Sequence, residues 1–166
     1  TLDANHVVDH LSKAFCGEGQ HLYVPAVVSH VQTKRTLMKE DSIRQIMNAY
    51  DHLNVALVGI GTADNTSSAF RSGYYSDEMK QQAVKDQVCG DICMHLFDKE
   101  GRTDCFPYNK QIVGVNLNKL KKVPYAIGIA SGVRKAEAIR GAIKGGYINV
   151  LVTDAQCGQA LTRLND

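Results

Sequence analysis

Apolar and polar residues alternate with two different periods along this chain, which predicts both helices and strands. The stretch Asp3–Phe15 carries apolar residues at Val7, Val8, Leu11 and Phe15, which is the spacing of one face of a helix. We therefore expect a helix there, with Val7, Val8 and Leu11 on its buried face.

The strongest strand signal is the run Asn54–Gly61, which reads Asn-Val-Ala-Leu-Val-Gly-Ile-Gly. Apolar residues occupy both faces of this strand, a pattern typical of the middle of a parallel sheet that helices cover on both sides. The glycine-rich end of the run predicts a turn directly after the strand.

Further elements show the same two patterns. Strands are predicted at His21–Pro25, Cys89–Phe97, Ile112–Val115, Tyr125–Ala130 and Ile148–Thr153. Helices are predicted as two pieces within Leu37–Tyr50 (the second beginning at Asp41 or Ser42), at Ser76–Val84 with Ser76 as cap, as one turn at Asn116–Leu120, at Arg134–Lys144, and from Asp154 to Leu164. This alternation predicts an α/β fold, with a layered parallel sheet and right-handed crossovers.

Composition narrows the function classes. The 166 residues suit one domain, and 19 basic against 17 acidic residues give a net charge of +2, which argues against a basic nucleic-acid-binding face within this segment. No apolar run approaches the roughly 20 residues that cross a bilayer. Five cysteines, an odd number with no Cys-x-x-Cys pair, lie mostly in or beside apolar segments. We expect buried, reduced thiols and a cytoplasmic protein.

Candidate chemistry lies just after the predicted strands, because ligands of open parallel sheets bind in the loops at the carboxyl ends of the strands. Ser131-Gly132 leads into a helix start that carries Arg134 and Lys135. Cations are disfavoured at a helix N-terminus unless an anion lies between them, which indicates a phosphate or carboxylate ligand. The alternative, of equal weight, is that Lys135 is a solvated surface charge.

Three other charged residues allow a ligand role and a structural one. Arg71 lies in a loop and either directs its planar guanidinium at a ligand oxygen or is a surface arginine. Asp91, among apolar residues, is either paired and buried or faces a sugar hydroxyl. Asp154 ends the last strand and is the natural N-cap of the last helix.

A metal site is not expected. His6, Asp9 and His10 have the spacing of an inverted zinc-peptidase motif, but Asp replaces the Glu that acts as base, and no third ligand is evident downstream. No Walker loop, nucleophile elbow or complete dinucleotide-binding fingerprint occurs. We predict no metal, no cofactor and no catalytic residue.

Eight short motifs occur in an order that resembles the sugar-binding domain of bacterial SorC-type transcriptional regulators. They are Val55-Ala-Leu-Val-Gly-Ile-Gly61, Arg71-Ser-Gly-Tyr74, Gly90-Asp-Ile-Cys93, Phe97-Asp-Lys-Glu-Gly101, Gly114-Val-Asn-Leu117, Ala130-Ser-Gly132, Lys135-Ala-Glu-Ala-Ile139 and Gly146-Tyr-Ile-Asn-Val-Leu-Val-Thr-Asp154. The resemblance implies a Rossmann-like fold similar to glucosamine-6-phosphate deaminase and ribose-5-phosphate isomerase. It also implies that the domain binds a sugar or sugar phosphate and thereby controls operator binding by the whole regulator.

The resemblance also implies a ligand site. The family's arginine, acidic residue and lysine that contact the sugar phosphate match Arg71, Asp91 and Lys135 in this sequence. With Gly132 and Asp154 from the neighbouring strand ends, these five are the predicted ligand-binding residues.

Members of this family carry an amino-terminal helix-turn-helix and a first β-α unit with a phosphate loop. Residues 1–166 resemble the part of the family's effector domain that comes after this unit. We therefore expect most of one effector domain, with operator DNA contacted through the absent part and self-association as dimers or tetramers. Two other functions remain open: a sugar-phosphate isomerase or deaminase, which shares the fold, and a pure dimerisation module.

Overall fold

The computed structural model of the chain describes residues 4–64, 67–71 and 73–164, so Asp3 of the first predicted helix lies outside the described residues. The helices are α1 Ala4–Ala14, α2 Val31–Leu37, α3 Asp41–Ala49, α4 Ser68–Arg71, α5 Asp77–Lys85, α6 Leu117–Leu120, α7 Ala136–Lys144 and α8 Ala155–Arg163. The strands are β1 Val55–Thr62, β2 Gly90–Ile92, β3 His95–Phe97, β4 Tyr125–Ile129 and β5 Val150–Val152. Short 3-10 turns occur at Tyr50–His52, Pro107–Gln111 and Val133–Lys135.

The described strands form one sheet in the order β3-β2-β1-β4-β5. The three strands β1, β4 and β5 are parallel, with Val55 opposite Tyr125 and Ile127 opposite Val150. The strands β2 and β3 are antiparallel additions at the far end of β1, where Thr62 pairs with Gly90. The predicted α/β, Rossmann-like class is confirmed, but the sheet is mixed rather than wholly parallel.

The main core lies on one face of this sheet, beneath α6, α7 and α8. Its buried residues from the strands and helices include Ala56, Val58, Ile60, Ile92, Phe97, Leu117, Leu120, Ala126, Ala138, Ile139, Ala142 and Cys157. The small residues Ala138 and Ala142 allow α7 to approach the strands closely, which brings the start of this helix to the carboxyl ends of β1 and β4.

The other face of the three parallel strands is open to solvent in the described part of the chain. Its apolar residues Val55, Leu57, Tyr125, Ile129, Val150 and Val152 are 38–59% exposed, and we call them the open sheet face. The expectation that helices cover β1 on both sides is therefore wrong for the described residues. Parallel sheets are normally covered on both faces, so this surface requires an explanation.

The helix α1 matches its prediction in position but not in burial. None of its residues is buried: Val7 is 45% exposed and Leu11 36%, and Phe15 beyond it is 79% exposed. The expectation that Val7, Val8 and Leu11 form a buried face is wrong, because α1 contacts mainly the loop after it. There, His21 bonds to Asn5 and Asp9 across that loop.

Three predicted strands differ from the structure. The segment His21–Pro25 forms no strand, and Ile112–Val115 contributes only an isolated bridge from Ile112 to Val27. Around Ile112 the backbone pairs with residues 26–28, through Val28 N–H to Gln111 O and Val113 N–H to Ala26 O, and not with a strand of the sheet. The predicted strand Cys89–Phe97 is a hairpin, because Cys93 and Met94 adopt positive φ and reverse the chain.

The helix boundaries agree with local signals where side-chain caps exist. Ser76 Oγ accepts from the Met79 N–H at the start of α5, as predicted. The first predicted helical piece lies earlier, at Val31–Leu37, and α3 begins after Glu40 without a side-chain cap. The predicted helix Arg134–Lys144 begins as a 3-10 turn and becomes α-helical at Ala136.

The cysteines are only partly as expected. All five are free, but Cys157 alone is buried, whereas Cys16 and Cys105 are exposed. Among the described residues, no helix has the length and apolar character that a membrane span requires.

The turn after β3 packs against the end of α7. The Asp98 carboxylate accepts from the N–H groups of Glu100 and Arg102 and pairs with the Arg102 guanidinium at 2.7 Å. Gly101 has φ of +77°, and a Cβ there would overlap the backbone of Gly145. The predicted turn at Lys99–Gly101 is therefore present, and in it the backbone of Gly101 lies close to the backbone of Gly145.

We expect Gly101→Ala to lower the free energy of unfolding well beyond Gly146→Ala. Both glycines have positive φ, at +77° and +69°, so both alanines pay the left-handed cost of about 1 kcal/mol. Only Gly101 also lacks space for a Cβ, since none of the described atoms lies within 4 Å of that position at Gly146. Urea unfolding of the two variants tests this, and equal losses would contradict it.

Candidate functional site

A polar cleft of about 220 Å³ opens at the carboxyl ends of β1 and β4. Two loops form its walls, one after β1 and one between β4 and α7. Its described lining residues are Gly61, Thr62, Ser67, Arg71, Ser131, Gly132, Arg134 and Lys135. The parallel register of β1 and β4 brings these two loops together, which is the placement expected for a ligand site in such a sheet.

Lys135 connects the two walls. It ends the 3-10 turn that starts α7, and its Nζ donates to the carbonyl oxygen of Ile60 on β1 at 2.7 Å. This residue is therefore not the freely solvated surface charge of the alternative interpretation. Its ammonium group is held at the cleft wall, with donors remaining for a ligand.

Gly132 and Asp154 hold the second loop in place. Gly132 has φ of +97°, a conformation that side chains rarely adopt, and its N–H donates to Asp154 Oδ2 at 2.5 Å. The other oxygen of Asp154 accepts from the Cys157 N–H at 2.9 Å and caps α8, as the sequence predicted. The N–H groups of Gly132 and Cys157 hold the pKa of Asp154 below its ordinary value.

Asp91 lies behind the cleft, directly beneath Gly61. It is only 6% exposed, and its Oδ1 has no hydrogen-bond partner among the described atoms. A Cβ at Gly61 would overlap that oxygen, so a larger residue there would displace the Asp91 carboxylate. Burial raises the pKa of Asp91 from 3.8 to about 6, against smaller opposing effects of the Met94 N–H and Lys135.

The cleft wall is cationic. Arg71, at the end of the one-turn helix α4, and Arg134 line it with Lys135, and no acidic side chain is among the described lining residues. Arg71 is exposed, so its guanidinium is accessible to an incoming ligand. Three cations above a buried carboxylate suit a ligand with an anionic group at one end and hydroxyl groups at the other.

All five predicted site residues meet at this edge of the sheet. Arg71, Gly132 and Lys135 line the cleft, Asp91 lies behind Gly61, and Asp154 bonds to Gly132. Their contact with a ligand stays a prediction.

The sequence did not single out Ser67, a buried residue whose Oγ has no partner among the described atoms. It lies in a polar loop where nothing distinguishes it from its neighbours. Arg134 was noted beside Lys135 but not included in the predicted site.

His95 belongs to a different cavity, although it is close to Asp91 in sequence. It lies on β3 and lines a pocket of about 290 Å³ with Lys34 and Asn109. Burial lowers its pKa to about 4, with a further lowering by Lys34, although its bond to the Cys93 carbonyl opposes this. Within residues 4–64, 67–71 and 73–164, no group of three His, Cys, Asp or Glu side chains is placed to hold a metal ion.

Comparisons with known proteins agree with this geometry. A family described as "Putative sugar-binding domain" matches residues 1–163. The deoxyribonucleoside regulator of Bacillus subtilis is 34% identical over 150 residues, a match covering 90% of this chain and 48% of that protein. The transcriptional regulator LsrR of Escherichia coli is 38% identical over 144 residues, covering 84% of this chain and 45% of that protein.

Solved structures give the same result. The crystal structure of the full-length sorbitol operon regulator SorC from Klebsiella pneumoniae matches with a TM-score of 0.86 and 29% identity, covering 96% of this chain and 51% of that one. The fold and cleft define an α/β ligand-binding domain. The chain belongs to the sugar-binding domain family of SorC-type transcriptional regulators. It spans about half the length of the curated relatives it matches.

Asp91 should make the free energy of unfolding of the chain depend on pH. Because its pKa rises on folding from 3.8 to about 6, the folded state binds more protons between these values. The Asp91 contribution to the free energy of unfolding is therefore highest below pH 4 and decreases as pH rises to about 6. We expect Asp91→Asn to remove this decrease and to raise the melting temperature at pH 8.

The measurement is the difference between the pH–stability curves of the parent and Asp91→Asn, since other carboxylates contribute equally to both. Asp77→Asn is the control, because Asp77 is an exposed residue of α5. A difference curve without a slope between pH 4 and 6 would contradict the prediction.

Proposed function

We propose that this chain is the effector-sensing domain of a bacterial transcriptional regulator. The cleft binds a sugar or sugar phosphate, and occupancy alters operator binding by the intact protein. The observation that carries this is the juxtaposition of Lys135, Arg71 and Arg134 with the buried, unpartnered Asp91 oxygen in a member of a sugar-binding family.

In this proposal the cationic residues bind the anionic end of the ligand. Arg71 and Arg134 supply planar donors, and Lys135 supplies a point charge already oriented by Ile60. Asp91 accepts from a ligand hydroxyl, which would satisfy the buried oxygen. Asp154 acts indirectly, by holding Gly132 at the loop.

We further propose that residues 1–166 are most of one effector domain of a longer regulator. A helix of a preceding β-α unit covers the open sheet face, and a helix-turn-helix before it contacts operator DNA. Two facts support this: the half-length coverage of the relatives, and an apolar face of the kind that parallel sheets normally bury. The regulator then works in the cytoplasm, as a homodimer or homotetramer.

A sugar-phosphate isomerase or deaminase is the alternative that shares the fold. Such chemistry needs a general base and a proton relay in the cleft. Asp91 has a suitable pKa, but among the described residues His95 lies in the other cavity and no histidine lines the cleft. The curated relatives carry the names of regulators, which favours sensing without turnover.

Screening the intact regulator against glucose 6-phosphate, fructose 6-phosphate, ribose 5-phosphate and 2-deoxyribose 5-phosphate separates these functions. We expect at least one to raise its melting temperature and change operator affinity without being consumed. Turnover would contradict the sensor function. The absence of any shift with these sugar phosphates and with the corresponding free sugars would favour a dimerisation module instead.

Lys135→Ala in the intact regulator should weaken binding of a phosphorylated effector by about 1.5–3 kcal/mol, the usual contribution of a hydrogen bond to a charged group. Calorimetry measures this directly. Lys144→Ala is the matched control, since Lys144 lies at the other end of the same helix and pairs with Glu100. Equal affinities for the parent and Lys135→Ala would contradict the role of this lysine.

If a helix covers the open sheet face in the longer regulator, one substitution on that face should change the free energy of unfolding there but not in this chain. Leu57→Gln should hardly change the urea stability of this chain, where Leu57 is 48% exposed. In the longer regulator it should cost about 2 kcal/mol, because it places an amide in an apolar contact. Val84→Gln, at a 71% exposed site on α5, should be mild in both. A mild effect of Leu57→Gln in the longer protein would contradict the covering helix.

A further inference from the structure

The hairpin between β2 and β3 has an unfavourable turn. Ile92 pairs with His95, so Cys93 and Met94 are its two central residues, with φ of 49° and 68°. Two-residue turns with positive φ at both positions favour Asn-Gly, because other side chains meet the backbone there. Cysteine and methionine are poor choices, so other interactions must stabilise this conformation.

Three side chains supply those interactions. The Tyr75 hydroxyl donates to the Met94 carbonyl. The Met94 N–H lowers the pKa of the nearby Asp91 carboxyl group, against the larger effect of burial. A ring nitrogen of His95, Nδ1, lies 3.1 Å from the Cys93 carbonyl oxygen. The Met94 carbonyl is therefore held from outside the turn.

The same side chains connect the turn to the cleft. Asp91 lies two residues before the turn on β2, and the Met94 N–H favours the charged form of its carboxyl group, so a displacement of the turn changes the surroundings of Asp91. Tyr75 lies four residues after Arg71 and packs its ring 5.0 Å from that of Phe70, both being 3% exposed. Tyr75 therefore joins the turn to the segment that carries Arg71.

We propose that Tyr75 and the Cys93–Met94 turn are positioning elements of the cleft, which orient the Asp91 carboxylate and hold the Arg71 segment. Tyr75 touches no ligand and acts through its bond to Met94. The effect of Tyr75 on ligand binding rests on the proposed function, whereas its effect on Asp91 and on the Arg71 segment does not. It is therefore testable without a ligand.

The test separates positioning from stability by means of a relaxed turn. Cys93→Asn with Met94→Gly keeps the backbone N–H and C=O of position 94 and gives the turn the residues that suit it. It also removes two side chains that pack against the cores, so each tyrosine variant is compared only with its own background. Tyr75→Phe is then made in the parent and in this relaxed background. Tyr74→Phe, at the 52% exposed neighbouring tyrosine, is the control in both.

Two readouts come from NMR. The first is the exchange of the Arg71 amide, which donates to the Ser67 carbonyl at 3.1 Å. The second is the titration of the Asp91 carboxyl carbon. In both backgrounds Tyr75→Phe should accelerate the exchange several-fold and raise the apparent pKa of Asp91, since a displaced Met94 N–H no longer favours the carboxylate.

The inference is overturned if Tyr75→Phe leaves both readouts at the parent values. It is also overturned if, in the relaxed background, Tyr75→Phe no longer changes the Arg71 exchange rate, the Asp91 titration or the stability. Tyr75 would then contribute only to the stability of the turn. Ligand affinity is a third, independent readout, measured with any sugar phosphate that raises the melting temperature of the intact regulator. Tyr75→Phe in the relaxed background should weaken it about tenfold, the usual effect of one hydrogen bond.

If no sugar phosphate binds, the proposed function fails while the exchange and titration still decide the positioning role.

Discussion

The buried carboxylate of Asp91 is the group on which the rest of the site depends. Its Oδ1 lies unpartnered beneath Gly61, and the Met94 N–H of the β2–β3 turn lowers its pKa against the effect of burial. Burying such a group costs free energy unless something satisfies it. The cationic wall of Lys135, Arg71 and Arg134 lies in front of it. The proposed ligand, a sugar or sugar phosphate, has hydroxyl groups for the carboxylate, and its phosphorylated form has an anionic group for the cations.

The register of the sheet places these groups together. The strands β1 and β4 are parallel and in register from Val55 to Gly59, so the loops after them share one edge. Lys135 and Asp154 then fasten the second loop, one to β1 and the other to α8. The open sheet face belongs to the same three strands, and in the described part of the chain it is apolar and exposed.

Much of this architecture comes from local patterns. The runs at β1 and β4 and the caps at Ser76 and Asp154 are local signals, and each is found in the structure. The hairpin at Cys93 and Met94 was missed because a tight turn is normally indicated by Asn or Gly. Burial of α1 was also mispredicted, since an amphipathic pattern shows that a helix has an apolar face but not what covers it.

By itself, the sequence determined the α/β class, the loops that line the cleft and four charged residues that lie around it. These depend on period and on residue type, which are local properties. Only the tertiary structure decided that Asp91 is buried with an unpartnered oxygen, that Ser67 joins the cleft and that one sheet face is open. Each of these depends on distances between segments far apart in the chain, and no pattern of neighbouring residues encodes such distances.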